Sequence, residues 1–197
     1  MREYRMKKRA EVQARTRDKI INATMQLHDQ VGISATSYLD VAQRSGVGVA
    51  TVYRHFPSIG SLVVACGGHV WKEMQPPIPE HAPAKFLGLK SLDDRLKRLV
   101  RELDEFYRRG AFRLTVAARD RSNIPEIDTF LGHVERGVEA LVREALRGAG
   151  LPDLVVRVVI VMSDLGVWTS LNRLDLSLAD LQALYVKILQ GAISAAR

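Results

Sequence analysis

The chain has 197 residues, 47% of them hydrophobic and 26% charged, with a net charge of +7 and a single cysteine. That length and balance allow one large domain or a small one beside a larger one, and a lone Cys66 excludes an internal disulfide or a cysteine-based zinc site, as suits the reducing cytoplasm. The longest apolar run, Leu154 to Met162, is interrupted by Arg157 and closed by Asp164, short of the roughly 20 residues of a membrane span, and no signal-peptide core follows the basic N-terminus.

In chain order the pattern is helical throughout. Ile20, Thr24, Leu27 and Val31 recur at helical spacing within residues 12–31, and Gly32 is a natural stop. Thr36 and Ser37 can cap a short second helix, "YLDVAQRS", whose Leu39 or Val41 and Ala42 face inward, while Gly46 supplies the positive φ of a tight turn. A third helix runs from Gly48 to about His55. Pro57 then breaks the pattern, and Ser58 can cap a fourth helix reaching about Met74. Two short helices across a glycine turn form a helix-turn-helix pattern. Four of the seven prolines fall in residues 76–83, which predicts a stiff connector. Beyond it, Ser91 and Asp94 resemble a capping box for a helix over about 92–109 that stops at Gly110. Helices over about 111–121, 125–148, 153–174 and 177–195 follow. The expected domains are 1–57, a helix-turn-helix with a basic arm; 58–90, a connecting helix and Pro-rich linker; and 91–197, a helical ligand-binding and dimerisation domain. The fold class is all-α.

Residues 153–174 offer two apolar faces, one with Leu154, Val158, Val161, Leu165 and Trp168, the other with Val156, Ile160, Val167 and Leu171. A helix apolar nearly all round needs cover on several sides. The final helix places Leu178, Leu181, Tyr185, Ile188 and Ala192 at alternating spacings of three and four, a helix-pair seam. Two such helices from each of two subunits would build a four-helix bundle. A homodimer is therefore expected, with Leu178, Leu181, Tyr185 and Ile188 at its interface.

Charge and motif together point to DNA. Residues 1–58 hold ten Lys/Arg against five Asp/Glu, whereas residues 59–197 hold nineteen against seventeen. The second helix of a helix-turn-helix lies in the major groove. Gly48, Val49 and Ala50 are small enough for close approach to base edges, and Thr51, Tyr53 and His55, one turn later, suit phosphate oxygens. Phe56 reads as core. "RDKIINATMQL" and "TSYLDVAQRSGVGVATVYRHFPSIGSL", with the Thr-x-Tyr-x-His-Phe run at 51–56, resemble the DNA-binding segment of the TetR-like transcriptional regulators over about residues 12–65. The rest of the chain is similar to that family only in its all-helical plan. The resemblance implies phosphate contacts from Thr51, Tyr53 and His55, with Arg54 beside them, base contacts around Gly48, Val49 and Ala50, and caps at Thr36 and Ser37 near the DNA backbone. It also implies a cytoplasmic repressor that binds a pseudo-palindromic double-stranded operator as a dimer and is released by a small-molecule effector.

Three positions depart from the family pattern. Gly48 stands where serine is common, Ile59 and Gly60 stand where a lysine and an acid usually follow "FPS", and His28 stands where an aromatic is usual. With little hydrogen-bonding capacity at 48–50, base reading would lean on thymine methyls, on Tyr38 and Arg44, and on DNA shape. Hydrolase, P-loop and zincin motifs are absent, and "GVGVAT" lies between helices rather than after a strand. The five histidines show no ligand spacing, so neither enzyme activity, metal nor cofactor is expected. A ligand pocket is expected among the C-terminal helices, lined by Tyr107, Phe112, Val116, His133, Met162, Leu165 and Trp168, with Asp164 as a carboxylate needing a partner such as Arg136 or the ligand. The alternative is an architectural DNA binder with no small-molecule ligand.

Overall fold

The computed structural model describes residues 1–195, which form ten α-helices and one short 3-10 turn, with no strand among them. The helices are α1 (Arg2–Val31), α2 (Tyr38–Ser45), α3 (Val49–His55), α4 (Ile59–Met74), α5 (Ala82–Lys85), α6 (Leu92–Asp120), α7 (Pro125–Ala145), α8 (Asp153–Met162), α9 (Leu165–Leu171) and α10 (Leu178–Ala195). They divide into two units. The first holds Met1–Lys72 and Phe112–Leu131, the second Glu73–Ala111 and Gly132 onward, so α6 and α7 each contribute to both.

In the first unit, Ile20, Ile21 and Leu27 of α1, Val41 of α2, Val52 of α3 with Phe56 after it, and Leu62 and Cys66 of α4 form one apolar cluster. Helix α1 begins ten residues before the expected start. Residues 2–11 carry no apolar stripe because they face no core, but they contain neither Gly nor Pro and are rich in Arg, Lys, Glu and Ala, so a helix nucleated at Ile20 extends through them. Leu39 is 57% exposed, leaving Val41 and Ala42 as the inward residues of α2.

Three corrections concern the second half of the chain. Gly110 does not end a helix: α6 runs unbroken for 29 residues. A mid-helix glycine costs only about 1 kcal/mol, and the buried stripe of Leu99, Leu103, Phe106, Tyr107 and Leu114 continues across it. The segment 153–174 is two helices bent by 55°, not one. Asp164 is extended, at φ −69° and ψ 154°, and its carboxylate accepts from the Gly166 N–H, so it caps α9 and is exposed. On α8 the buried residues are Val155 and Val159, on neither expected face, while Leu154 and Val161 are 64% and 68% exposed. Within the Pro-rich stretch, residues Pro79–His81 and Ala82–Lys85 are helical turns, with Ala82 and Phe86 buried.

Candidate functional site

The helix-turn-helix is assembled by local hydrogen bonds. Ser37 Oγ accepts from Asp40 N at 3.2 Å while Asp40 Oδ2 accepts from Ser37 N at 3.1 Å, a complete capping box on α2. The bonds from the Ser37 hydroxyl and N–H hold the Asp40 carboxyl below the usual range. Gly46, at φ 69°, ends α2 in the left-handed conformation, and Gly48 begins α3 with its carbonyl accepting from Thr51 N and Val52 N. Thr36 is buried and its hydroxyl donates to the Gly32 carbonyl at 2.8 Å. Thr36 therefore braces the turn between α1 and α2, and of the two expected caps it is Ser37 that serves α2.

Helix α3 turns Val52 inward, with Phe56 behind it, and this sets its outer face. Gly48, Ala50, Tyr53 and Arg54 are exposed, and Val49, Thr51 and His55 are half-buried. Tyr53 is 51% exposed and lies flat on the Tyr38 ring, the centroids 4.2 Å apart and the planes 9° apart. Tyr38 is buried, its hydroxyl donates to the Phe56 carbonyl at 2.7 Å, and burial raises its pKa. Tyr38 is thus a platform that orients Tyr53 and pins the end of α3. Arg44 spans to α1, donating to Gln30 Oε1 at 2.9 Å and Gln26 Oε1 at 3.4 Å, and Arg54 reaches the Thr51 hydroxyl at 3.4 Å. The Arg17 guanidinium sits 5.1 Å from the Phe56 ring centre. The result is an outward helix face with small residues in its first turn and hydroxyl, cationic and imidazole groups in its second.

The expected pocket residues are shared between the two units. Tyr107, Met162, Leu165 and Trp168 belong to the second unit, with the Tyr107 and Trp168 rings 5.5 Å apart. Phe112 and Val116 belong to the first, where with His28, Asp29, Ser34 and Asp120 they line a cavity of about 340 Å³. Continuity of α6 is the reason, because without a turn at Gly110 residues 112 and 116 run on instead of folding back. His133 is exposed, and the Asp164 carboxylate is spent on capping α9 rather than on Arg136. In the dimer set, Leu181 and Tyr185 are interior residues of their own protomer, 6% and 2% exposed, whereas Leu178 is half exposed and Ile188 partly so.

The sequence pattern did not single out a buried carboxylate, Asp104. It accepts from Trp168 Nε1 at 3.1 Å, Arg108 Nε at 2.8 Å and Gln182 Nε2 at 3.2 Å, joining α6, α9 and α10. Beside it Tyr107 donates to the Ser163 carbonyl and Tyr185 to the Met162 carbonyl, and burial raises both phenol pKa values. One signal was present: Val100, Leu103, Asp104 and Tyr107 share one helical stripe, so a carboxylate stood at an inward position.

Comparison with known proteins settles what this helix-turn-helix is. Residues 20–66 match the family of bacterial regulatory proteins, tetR family. Over 166 residues the chain is 26% identical to the HTH-type transcriptional repressor KstR of Mycobacterium tuberculosis, covering 82% of this chain and 71% of that protein. Residues 20–66 are therefore a DNA-binding segment of the tetR type. Among solved structures, the multidrug binding protein EbrR superposes with a TM-score of 0.61 at 20% identity, over 90% of this chain and 89% of that one. The fatty acid degradation regulator FadR of Bacillus halodurans gives 0.58 at 17% identity, over 92% and 96%. Both share the all-helical plan. The matched DNA-binding segment and the repressor relative mark the protein as a DNA-binding transcriptional regulator.

Proposed function

We propose that this regulator is a TetR-family repressor whose two copies read a pseudo-palindromic operator through α3 and are released by a small molecule acting on the second unit. The outer face of α3 carries the reading. Gly48, Val49 and Ala50 approach base edges, while Thr51, Tyr53, Arg54 and His55 hold phosphates, with Ser37 and Arg44 at the flank. The apolar surface of Leu154, Val158 and Val161 on α8, with Leu178 and Ile188 of α10, supports pairing of two copies, since all five are at least partly exposed. The effector would lie near Tyr107, Met162, Leu165 and Trp168 and act by displacing α9.

The test is selection of bound sites from random DNA, followed by titration at several salt concentrations. Half-sites about one helical turn, or roughly 10 bp, apart and affinity falling steeply with salt are expected. Tyr53→Phe should weaken good and poor sites alike, and Ala50 substitutions should change site preference. A salt-insensitive affinity, or the reverse sorting of the two substitutions, would overturn the docking. One observation favours a regulator without an effector: the polar atoms of Tyr107 and Trp168 already have protein partners. A thermal-shift screen against metabolites separates the two readings.

A further inference from the structure

Helix α1 begins far outside the apolar cluster. Of residues 1–15, every side chain described is exposed; Thr16 is the first to be partly covered and Ile20 the first fully buried. Residues 2–15 thus form four turns, about 21 Å of helix at 1.5 Å per residue, and no described side chain among them covers the unit. The segment is basic, with Arg5, Lys7, Lys8, Arg9 and Arg15 against Glu3 and Glu11. Glu3 and Lys7, and Glu11 and Arg15, stand four apart in the order that supports a solvated helix. Its root is fixed by Arg17, which lies over Phe56 directly after α3, next to His55. The extension therefore leaves the first unit at the phosphate-contacting end of the recognition helix.

We propose that the N-terminal extension of α1, residues 2–15, is a second DNA contact: a rigid basic helix that lies on the phosphate backbone flanking the half-site and adds affinity without sequence preference. This rests on the reading of α3 above. Lys7, Lys8 and Arg9 are consecutive, so at about 100° per residue they fan over more than half the circumference, which suits phosphates on either side of a groove. An anionic bilayer is the other polyanion to weigh. Interfacial helices need a continuous apolar face, and Tyr4, Met6 and Val12, exposed at 71%, 66% and 57%, are spaced two and six apart on different sides of the helix.

The experiment compares the full-length protein with a Lys7→Gln/Lys8→Gln/Arg9→Gln variant on the selected operator, once with 10 bp flanks and once trimmed to the site. Circular dichroism first establishes that both proteins are equally helical. On flanked DNA the variant should bind about tenfold more weakly near 0.15 M salt, and its log–log salt slope should fall by about 2 to 3, at roughly 0.9 for each phosphate no longer neutralised. On trimmed DNA the two should be equal, and site preference should be the same. Equal affinity and slope on flanked DNA would overturn the role of the extension while leaving α3 as the reader. Loss of binding to anionic vesicles with unchanged DNA binding would overturn it in favour of a membrane. A wild-type protein that retains no duplex would overturn the reading of α3 and this proposal with it.

Discussion

In the first unit, Ser37, Asp40, Ser58 and Ser61 spend their hydrogen bonds capping helices at the surface over a core of Ile20, Ile21, Val41, Val52 and Phe56. In the second, Asp104 and Tyr107 bond across the interior to α9, α10 and Ser163, and Arg95 and Glu144 pair at 3.1 Å with both side chains largely buried. A capped surface leaves an outer face that can exchange water for a partner with little change of shape. An interior network instead selects one packing and makes any member costly to remove. A reader of DNA needs the first property; a unit meant to switch between two packings can use the second.

The largest expected break in this contrast is at α10. Leu181→Glu buries an unpaired charge and should destabilise the protein by about 3 to 5 kcal/mol in denaturant titration. Val161→Glu, at a site 68% exposed, should leave stability within about 0.5 kcal/mol and instead abolish the proposed pairing of two copies in sedimentation. A stable Leu181→Glu protein would remove Leu181 from the core.

Asp104→Ala is next. It strands the Trp168 and Gln182 donors and the Arg108 charge, and about 3 kcal/mol is expected, at the low end for a broken buried pair because Arg108 is 46% exposed. Arg54→Ala, on the outer face of α3, should cost under about 0.5 kcal/mol by the same denaturant measurement. Similar losses at the two positions would erase the distinction between the units.

His28 sharpens the comparison as a half-buried ionisable side chain of the first unit. Desolvation lowers its pKa from 6.5 to about 4; the Asp120 charge opposes this and Arg113 adds to it. Burial alone would raise the Asp120 pKa, but bonds from the Ser34 and Ile33 N–H groups and the nearby His28 hold it below the usual value. The folded state keeps His28 neutral while the unfolded chain protonates near 6.5. The contribution is therefore complete above pH 6.5, is lost as pH falls from 6.5 to about 4, and changes no further below. At 1.36 kcal/mol per pH unit the loss reaches about 3 kcal/mol at most. A His28→Phe variant should show a flatter stability profile across that window, and an unchanged profile would place the titration elsewhere.

Two glycines come last. A Cβ on Gly137 would collide with the backbone carbonyl of Pro77 inside the second unit, and Gly137→Ala should lower stability by about 1 to 3 kcal/mol. A Cβ on Gly60 would meet only the flexible carboxylate end of Glu126, and Gly60→Ala should cost under about 1 kcal/mol. Thermal unfolding of both variants checks the order.

Much of the first unit was legible because its decisive contacts are local. The Ser37–Asp40 box, the Gly46 turn and the Thr-x-Tyr-x-His-Phe run all act within a few residues, and the capping pair Ser91–Asp94 appears where the spacing put it. The start of α1 escaped because a helix without a core leaves no apolar period to read. The Ser163–Asp164 break escaped because the apolar run on either side masked an ordinary aspartate cap.

By itself the sequence determined the helical class, several of the caps, and the recognition helix, since each follows from side chains and backbone within one or two turns. Only the tertiary structure decided that Val155 and Val159 rather than Leu154 and Val161 face inward on α8, and that Leu181 and Tyr185 are core. It alone placed Phe112 and Val116 with the first unit and joined Asp104 to Trp168 and Gln182, 64 and 78 residues away. A helix apolar on several sides carries no local mark of which side is covered. That depends on which distant helices pack against it, and the energy of their packing selects the face.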